Sequence, residues 1–377
     1  MTHPLPPHFL PRDQLQQLFD NLQRSGHQIY GPQVHDGAIV YAPLKSTSAL
    51  PQGVEDHHAP ASYRLKNNGS EHWFDWVSTA QGVKPLLFRP HETLWRATRD
   101  AMGTLHFEEP VNSTEKLAII GLRACDLAAL RLQDRHFLSI NHSPDPFYAA
   151  RRQHLFIIAI NCTRAVESCF CSSTGDGPRC DPTAGFDIAM TELDSGFVIT
   201  SGSLQGRQVT KQLALRSASK AECDEAAQRE ANATRQVRAV PSQNMRDTLF
   251  NALDHPQWDE IASRCLSCGN CTSVCPSCFC YSEQSEAELD GSSSEQQREW
   301  DSCFTQGHSY MHGITVRHDT RLRYRQWLTH KFAGWHDQYG RSGCTGCGRC
   351  ITWCPPGIDI TAELAILNSD RGETDDG

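Results

Sequence analysis

Cys265-Leu266-Ser267-Cys268-Gly269-Asn270-Cys271-Thr272-Ser273-Val274-Cys275-Pro276 sets out four cysteines in a C-x-x-C-x-x-C-x-x-x-C run closed by a proline. The same spacing returns at Cys344, Cys347, Cys350 and Cys354 before Pro355. Three thiolates at intervals of three swing inward as the chain coils round a cubane, while the fourth, after a longer gap, points elsewhere; in two-cluster ferredoxins it binds the other cluster. The spacing therefore assigns Cys265, Cys268, Cys271 and Cys354 to a first 4Fe-4S centre, and Cys344, Cys347, Cys350 and Cys275 to a second. Structural zinc also takes C-x-x-C pairs, but a tetrahedral ion has no use for third and fourth cysteines at this spacing, twice. Gly269, Gly346 and Gly348 fit the cluster reading, because backbone must approach inorganic sulfide with no Cβ in the way.

Outward from these motifs, 377 residues predict two or three domains with substantial cores. Apolar residues at 38% and charged residues at 21% describe a soluble globular chain. A formal charge of -9 argues against nucleic acid as a partner, since phosphate binding needs clustered Lys and Arg in excess. Seventeen cysteines would suit a secreted disulfide scaffold only in a short chain, and Met1 to Pro7 carries neither a basic nor an apolar leader segment, so a reducing cytoplasm is expected. No apolar run approaches the length of a membrane span, which predicts no membrane insertion.

Along the chain, Leu15, Leu18, Phe19 and Leu22 recur at helical spacing between Asp13 and Arg24, and the pattern stops at Gly26. Ile29-Tyr30 and Ala38 to Tyr41 read as short strands set off by turns at Gly31-Pro32 and Asp36-Gly37. Ser46 to Pro90 reads as loop with small elements, its His57-His58 pair as solvated surface rather than a metal site. Leu117 to Leu122 is a continuous apolar strand, followed by a helix capped at Asp126 and running through Leu127, Leu130, Leu132 and Phe137; Leu155 to Ile160 is a second such strand. Phe186 to Leu193 and Gly196 to Thr200 predict a hairpin at the edge of the resulting small sheet. Lys211 to Arg238 has the composition of a solvated helix leaving that domain, which places a boundary near Pro241. Ser282 to Glu299 reads as an exposed insertion, the region between the two motifs as helical, Thr361 to Leu367 as a closing helix, and the tail after Asp370 as frayed. The expected fold is an α+β or α/β domain over 1–240 with a small sheet, then a mainly helical dicluster ferredoxin domain over 241–377.

Both apolar strands end in cysteine: Gly121-Leu122-Arg123-Ala124-Cys125-Asp126 after the first, Asn161-Cys162 after the second. Ligands of α/β sheets gather at such carboxyl ends. Cys169-Phe170-Cys171 and the loop Gly175-Asp176-Gly177-Pro178 with Cys180 follow closely. Cys125, Cys162, Cys169 and Cys171 are thus a candidate third 4Fe-4S site; buried thiols or a zinc site are the competing readings. Cys278, Cys280 and Cys303 sit in apolar company and read as packing or as S–H contacts to a cluster ligand, and Cys223 as incidental. Arg317, Arg321, Arg323, Arg325 and Lys331, interleaved with Tyr324 and Trp327, read either as a solvated helical face or as charge that raises cluster potential or meets an acidic partner. The chain has no G-x-G-x-x-G after a strand, no Walker loop, no H-E-x-x-H and no nucleophile elbow. A chain with cluster motifs and no dinucleotide fingerprint should pass electrons and leave hydride chemistry to another subunit.

Asp36-Gly37-Ala38-Ile39-Val40, Leu50-Pro51-x-Gly53 leading to Tyr63-Arg64-Leu65, Gly121-x-Arg123-x-Cys125-Asp126, Glu167 to Cys171, Cys275-Pro276-x-Cys278-Phe279-Cys280, Trp300 to Cys303, and His330-Lys331-Phe332 together carry a resemblance. The chain resembles the beta subunits of cytoplasmic sulfhydrogenases, which are NADP-linked nickel-iron hydrogenases, with the electron-transfer subunit of anaerobic sulfite reductase as a related family. The resemblance implies an iron-sulfur subunit of a multisubunit oxidoreductase with no complete catalytic centre of its own. Its partners would be a flavin subunit handling NAD(P)H and hydrogenase or sulfur-reducing catalytic subunits; in the sulfite-reductase relative the terminal partner holds sirohaem. A free-standing iron-sulfur redox sensor and a self-contained disulfide or sulfur reductase built on the Cys125 to Cys180 group are the alternatives from other classes.

Overall fold

The structure is a computed structural model and describes residues 7–108, 115–140, 143–241 and 244–369. The first strands in chain order are β1 (His8–Pro11), β2 (His27–His35), β3 (Ala38–Leu44), β4 (Val54–Ala59) and β5 (Ser62–Asn67). There follow β6 (His91–Arg99), β7 (Leu105–Glu108), β8 (Lys116–Leu122), β9 (Leu155–Ile160), β10 (Ile188–Leu193), β11 (Gly196–Ser201) and β12 (Arg216–Ser217). After residue 241 come β13 (Tyr281–Ala287) and β14 (Ser293–Trp300).

The main sheet has eight strands in the order β12-β1-β11-β10-β9-β8-β2-β3. Its centre is parallel, β2 with β8, β8 with β9 and β9 with β10, and its flanks are antiparallel. The sheet is therefore larger than the sequence suggested, because the Pro-rich start supplies β1 and the Arg216 segment supplies β12 outside the predicted hairpin. That hairpin exists as β10–β11 but lies inside the sheet. Gly31-Pro32 does not interrupt β2; Pro32 faces Tyr41 of β3 within the ladder.

Two apolar layers cover the sheet. Ala118, Ile120, Phe156, Ile158 and Ile160 face the helix Leu15–Arg24, whose Leu15, Leu18, Phe19 and Leu22 are fully buried. Leu117, Ile119, Leu155 and Ile157 face the other way, against Leu127, Leu130 and Phe137. The alternation is that of strands buried on both faces, each such side chain stabilising by roughly 1.5–3 kcal/mol. At Gly121 the β8–β9 register slips by one residue, with φ at +106°, so Leu122 joins the second layer instead of the first. The bulge re-aims the chain into the helix Ala124–Asp134, which carries Cys125. Asp126 is not the cap itself: it lies in the first turn and accepts the Arg123 backbone N–H at 3.5 Å.

A second, antiparallel sheet runs β13-β14-β6-β7. The predicted insertion Ser282 to Glu299 is thus a hairpin that pairs with β6, and the region between the two cysteine motifs is not purely helical. Its low apolar content hid the strands: only Arg298 of β14 is buried, where it meets Glu92 of β6 at 2.5 Å and also pairs with Asp145. The expected solvated helix is shorter than its composition suggested, Lys220–Asn232, started by Ser219 with Glu222 in a reciprocal cap. The closing helix is Ile360–Ser369, and the tail after Asp370 lies outside the described residues. Among the described residues no helix is long and apolar enough to cross a membrane.

Candidate metal centres

The two motifs fold alike. Ser267 and Gly346 occupy equivalent left-handed positions (φ +51° and +66°), as do Gly269 and Gly348 (+73° and +74°), and each motif then enters a short helix, Asn270–Ser273 or Arg349–Thr352. These turns bend the chain so that its cysteines face inward and its backbone donates to sulfur. Ser267 N–H reaches Cys265 Sγ, Gly346 N–H reaches Cys344 Sγ and Ile358 N–H reaches Cys354 Sγ, each at 3.4 Å.

Cys265, Cys268, Cys271 and Cys354 line one pocket, walled by Tyr324 and Trp327. Burial pushes the Cys271 thiol well up, and the neighbouring Cys265, Cys354 and Cys268 push it further. In the other motif burial raises the Cys350 thiol well above its ordinary value, with Cys344, Cys347 and Cys275 adding to it. Four thiols gathered in each low-dielectric site repel one another when ionised, and iron supplies the missing positive charge. The four-thiol donor set of each motif fits a 4Fe-4S cluster. Cys271 also acts on Cys350, and Cys350 lines the first pocket, so the two sites are neighbours.

Cys275 has company the sequence did not rank highly. Lys331 is buried, with Nζ 3.4 Å from Cys275 Sγ and 3.1 Å from Ser277 Oγ. The Cys278 thiol first, and then the Lys331 cation, hold the Cys275 thiol well below its usual value against the opposing effect of burial. The arginines of the same run are mostly structural: Arg323 bonds the carbonyls of Arg317, Phe304 and His318, and Arg325 that of Leu253. Tyr324 and Trp327 are buried.

At the carboxyl ends of β8 and β9, Cys125, Cys162, Cys169 and Cys171 are all buried, and so is Cys180, which the four-residue set left out. Burial raises each of these thiols; Cys162 adds to the rise at Cys171, Cys169 and Cys180, and Cys171 to that at Cys125. Gln236 Nε2 donates to Cys171 Sγ at 3.2 Å. Gly177 folds the loop over it so closely that a Cβ there would lie 2.9 Å from Cys171 Sγ. The group has the sulfur content of a cluster site, with five thiols for four positions.

This third group abuts the second motif. Phe170 N–H donates to Gly346 O at 2.9 Å; a Cβ at Gly346 would stand 2.4 Å from Cys171 Cα, and one at Gly348 2.2 Å from Ser168 O. Ser168 and Thr352 hydroxyls bond at 2.9 Å beside His58, which is itself buried and fixed to Asp56 at 2.8 Å. His58 is therefore seam rather than surface, while His57 pairs with Glu55. Gly348→Ala is expected to lower stability by about 2–4 kcal/mol, from the left-handed backbone plus a backbone clash. Limited proteolysis should then cut between residues 171 and 344 well before the unaltered chain is cut; unchanged protection would show that the seam is dispensable.

Cys280 and Cys303 do not simply pack. Their sulfurs and a ring nitrogen of His308 lie within 4.8 Å of one another. The β13–β14 hairpin brings them together, since Tyr281 pairs with Trp300 and Asp301 N–H closes on Cys280 O at 3.0 Å. Cys280-x(22)-Cys303-x(4)-His308 carries no recognisable spacing, so only the hairpin reveals it.

Both cysteine motifs lie within residues 264–358, which match the family described as 4Fe-4S dicluster domain. Beyond that domain, the chain is similar to sulfhydrogenase 2 subunit beta of Pyrococcus furiosus (strain ATCC 43587 / DSM 3638 / JCM 8422 / Vc1), 29% identical over 321 residues, 81% of this chain and 89% of the relative. The resemblance carried by the short motifs thus extends over most of the sequence. No solved structure gives a significant match.

Proposed function

We propose that this chain is the iron-sulfur subunit of a cytoplasmic, multisubunit oxidoreductase of the sulfhydrogenase type, relaying electrons between a flavin subunit that handles NAD(P)H and a nickel-iron catalytic subunit. The observation that carries the reading is a contiguous row of sulfur sites. It begins at Cys268, which is exposed; Cys350 of the second motif shares the first pocket with Cys271, and Gly346 of that motif packs against Cys171. Electron relay needs little of the protein beyond close spacing, tuned potentials and exclusion of water, and the row supplies a path from the surface into the sheet domain. Similarity to a sulfhydrogenase beta chain favours this reading over a role in sulfite reductase and over a free-standing sensor. In it, 1–240 and 241–377 are the two domains, with the seam at Gly346 and Gly348 joining the second centre to the third.

Iron and sulfide analysis of this chain, separated anaerobically from its partners, tests it. About twelve irons per chain are expected, with about eight remaining in Cys171→Ser. A trace of iron only, or no absorbance that bleaches with dithionite, would refute the relay. Eight irons in both proteins would remove the third centre. Co-purification with a nickel-containing partner is the expected result for the complex, and a sirohaem partner would transfer the chain to the sulfite-reductase type.

A further inference from the structure

Three potential metal ligands stand outside the cluster motifs, at the two ends of the β13–β14 hairpin. Cys280 precedes the hairpin, and Cys303 and His308 follow it. Their ligand atoms lie within 4.8 Å of one another, and Cys303 is buried. A tetrahedral zinc with Zn–S near 2.3 Å and Zn–N near 2.0 Å spaces its ligands by roughly 3.5–3.8 Å, so about an ångström of side-chain rotation closes the site.

A second observation is independent of that convergence. His308 Nδ1 is held by Asp301 Oδ2 at 3.0 Å, and Asp301 is itself fixed by the Ser302 backbone N–H at 2.7 Å. A carboxylate on one ring nitrogen is the partner that fixes the tautomer and orientation of a metal-bound histidine, leaving Nε2 free to ligate.

We propose that Cys280, Cys303 and His308 form a mononuclear zinc site, distinct from the cluster centres. Two thiolates and an imidazole are the ligand set of a thiophilic divalent ion. Binding converts both thiols to thiolates: two S–H bonds break, two Zn–S bonds form, and two protons leave to solvent with no change in oxidation state. Cys280 and Asp301 also line a cavity of about 290 Å³, which gives water a route to the remaining coordination position. The ion would pin the hairpin ends beside Cys278, which bonds the cluster ligand Cys275.

The test is zinc and iron content of the anaerobically purified complex, expressed with zinc in the medium, together with zinc K-edge absorption. About one zinc per chain with two sulfurs and at least one nitrogen is expected. Cys303→Ser and His308→Ala should each lower zinc at least tenfold while iron content stays unchanged. Zinc absent from the unaltered complex would overturn the proposal, as would zinc retained in both variants. An all-sulfur environment would overturn it too, by placing the ion in a cluster site, and so would a Cys280–Cys303 disulfide found by peptide mapping. Because the absorption spectrum is read on the unaltered complex, the outcome does not depend on either variant folding.

Discussion

Arg349→Met should destabilise the chain by about 3–5 kcal/mol, the cost of breaking a buried ion pair from one side. Arg349 and Asp126 are essentially without solvent contact, and Nη1 meets Asp126 Oδ1 at 2.8 Å. Nε donates to Thr79 O at 2.7 Å, so the guanidinium ties three segments: the second cysteine motif, the helix behind Cys125, and the loop before residue 84. The methionine fills much of the volume but leaves the Asp126 carboxylate buried with no cation. That carboxylate must then ionise at high cost or take up a proton. The neighbouring Cys347 and Cys125 sulfurs lose the same positive charge. Thermal unfolding of the complex followed by circular dichroism should show the midpoint falling by roughly 5–10 °C. Asp126→Leu in the same chain should restore part of the loss, because an apolar pair replaces an orphaned charge. A double variant less stable than both singles would refute the pairing.

Asp126 also shows what could be read from sequence. Its place after an apolar strand and next to a cysteine marked the carboxyl end of β8 as a site, and the period of Leu117 to Leu122 marked that strand as buried on both faces. The ferredoxin motifs mark Gly269, Gly346 and Gly348 as places where backbone comes close to sulfide, whereas in the fold a Cβ at these positions meets Ser302, Cys171 and Ser168 in turn. Long-range pairing was another matter. β13 and β14 are Ser, Glu and Gln, and they become strands only because β6, some two hundred residues earlier, offers an edge and Glu92 offers a partner for Arg298. No local pattern encodes that. The same hairpin brings Cys280 and Cys303, which read as packing in the sequence, beside His308, which no spacing singles out. Cys180 stands beside the loop in sequence but outside the four-residue set; its backbone N–H donates to Asn161 Oδ1 at 2.8 Å, which places it at the end of β9 beside Cys162.

Lys331→Met should make the second centre harder to reduce, shifting its potential downward by on the order of 100 mV. Lysine is rarely buried, yet Lys331 lies inside the protein with Nζ 3.4 Å from Cys275 Sγ and 3.4 Å from Gly343 O. Burial by itself pushes its pKa down. The surrounding Cys275, Cys278 and Cys344 sulfurs reverse that outcome and hold the ammonium charged well above its ordinary range. The same attraction acts on the electrons. A cluster gains a negative charge on reduction, and a fixed cation about 6 Å from its centre favours that state by about 3 kcal/mol at an effective dielectric near 20, or on the order of 100 mV. An arginine in place of this lysine would keep the charge but not the compact fit against Ser277, so Lys331→Arg should move the potential far less than Lys331→Met. Redox titration monitored by electron paramagnetic resonance measures both. Because the first motif's cysteines have no comparable buried lysine in direct sulfur contact among the described residues, only one of the two ferredoxin-type signals should move. A shift common to both signals would point to general loosening of the domain, and an unmoved or raised potential would show that Lys331 serves Cys275 only as a packing partner.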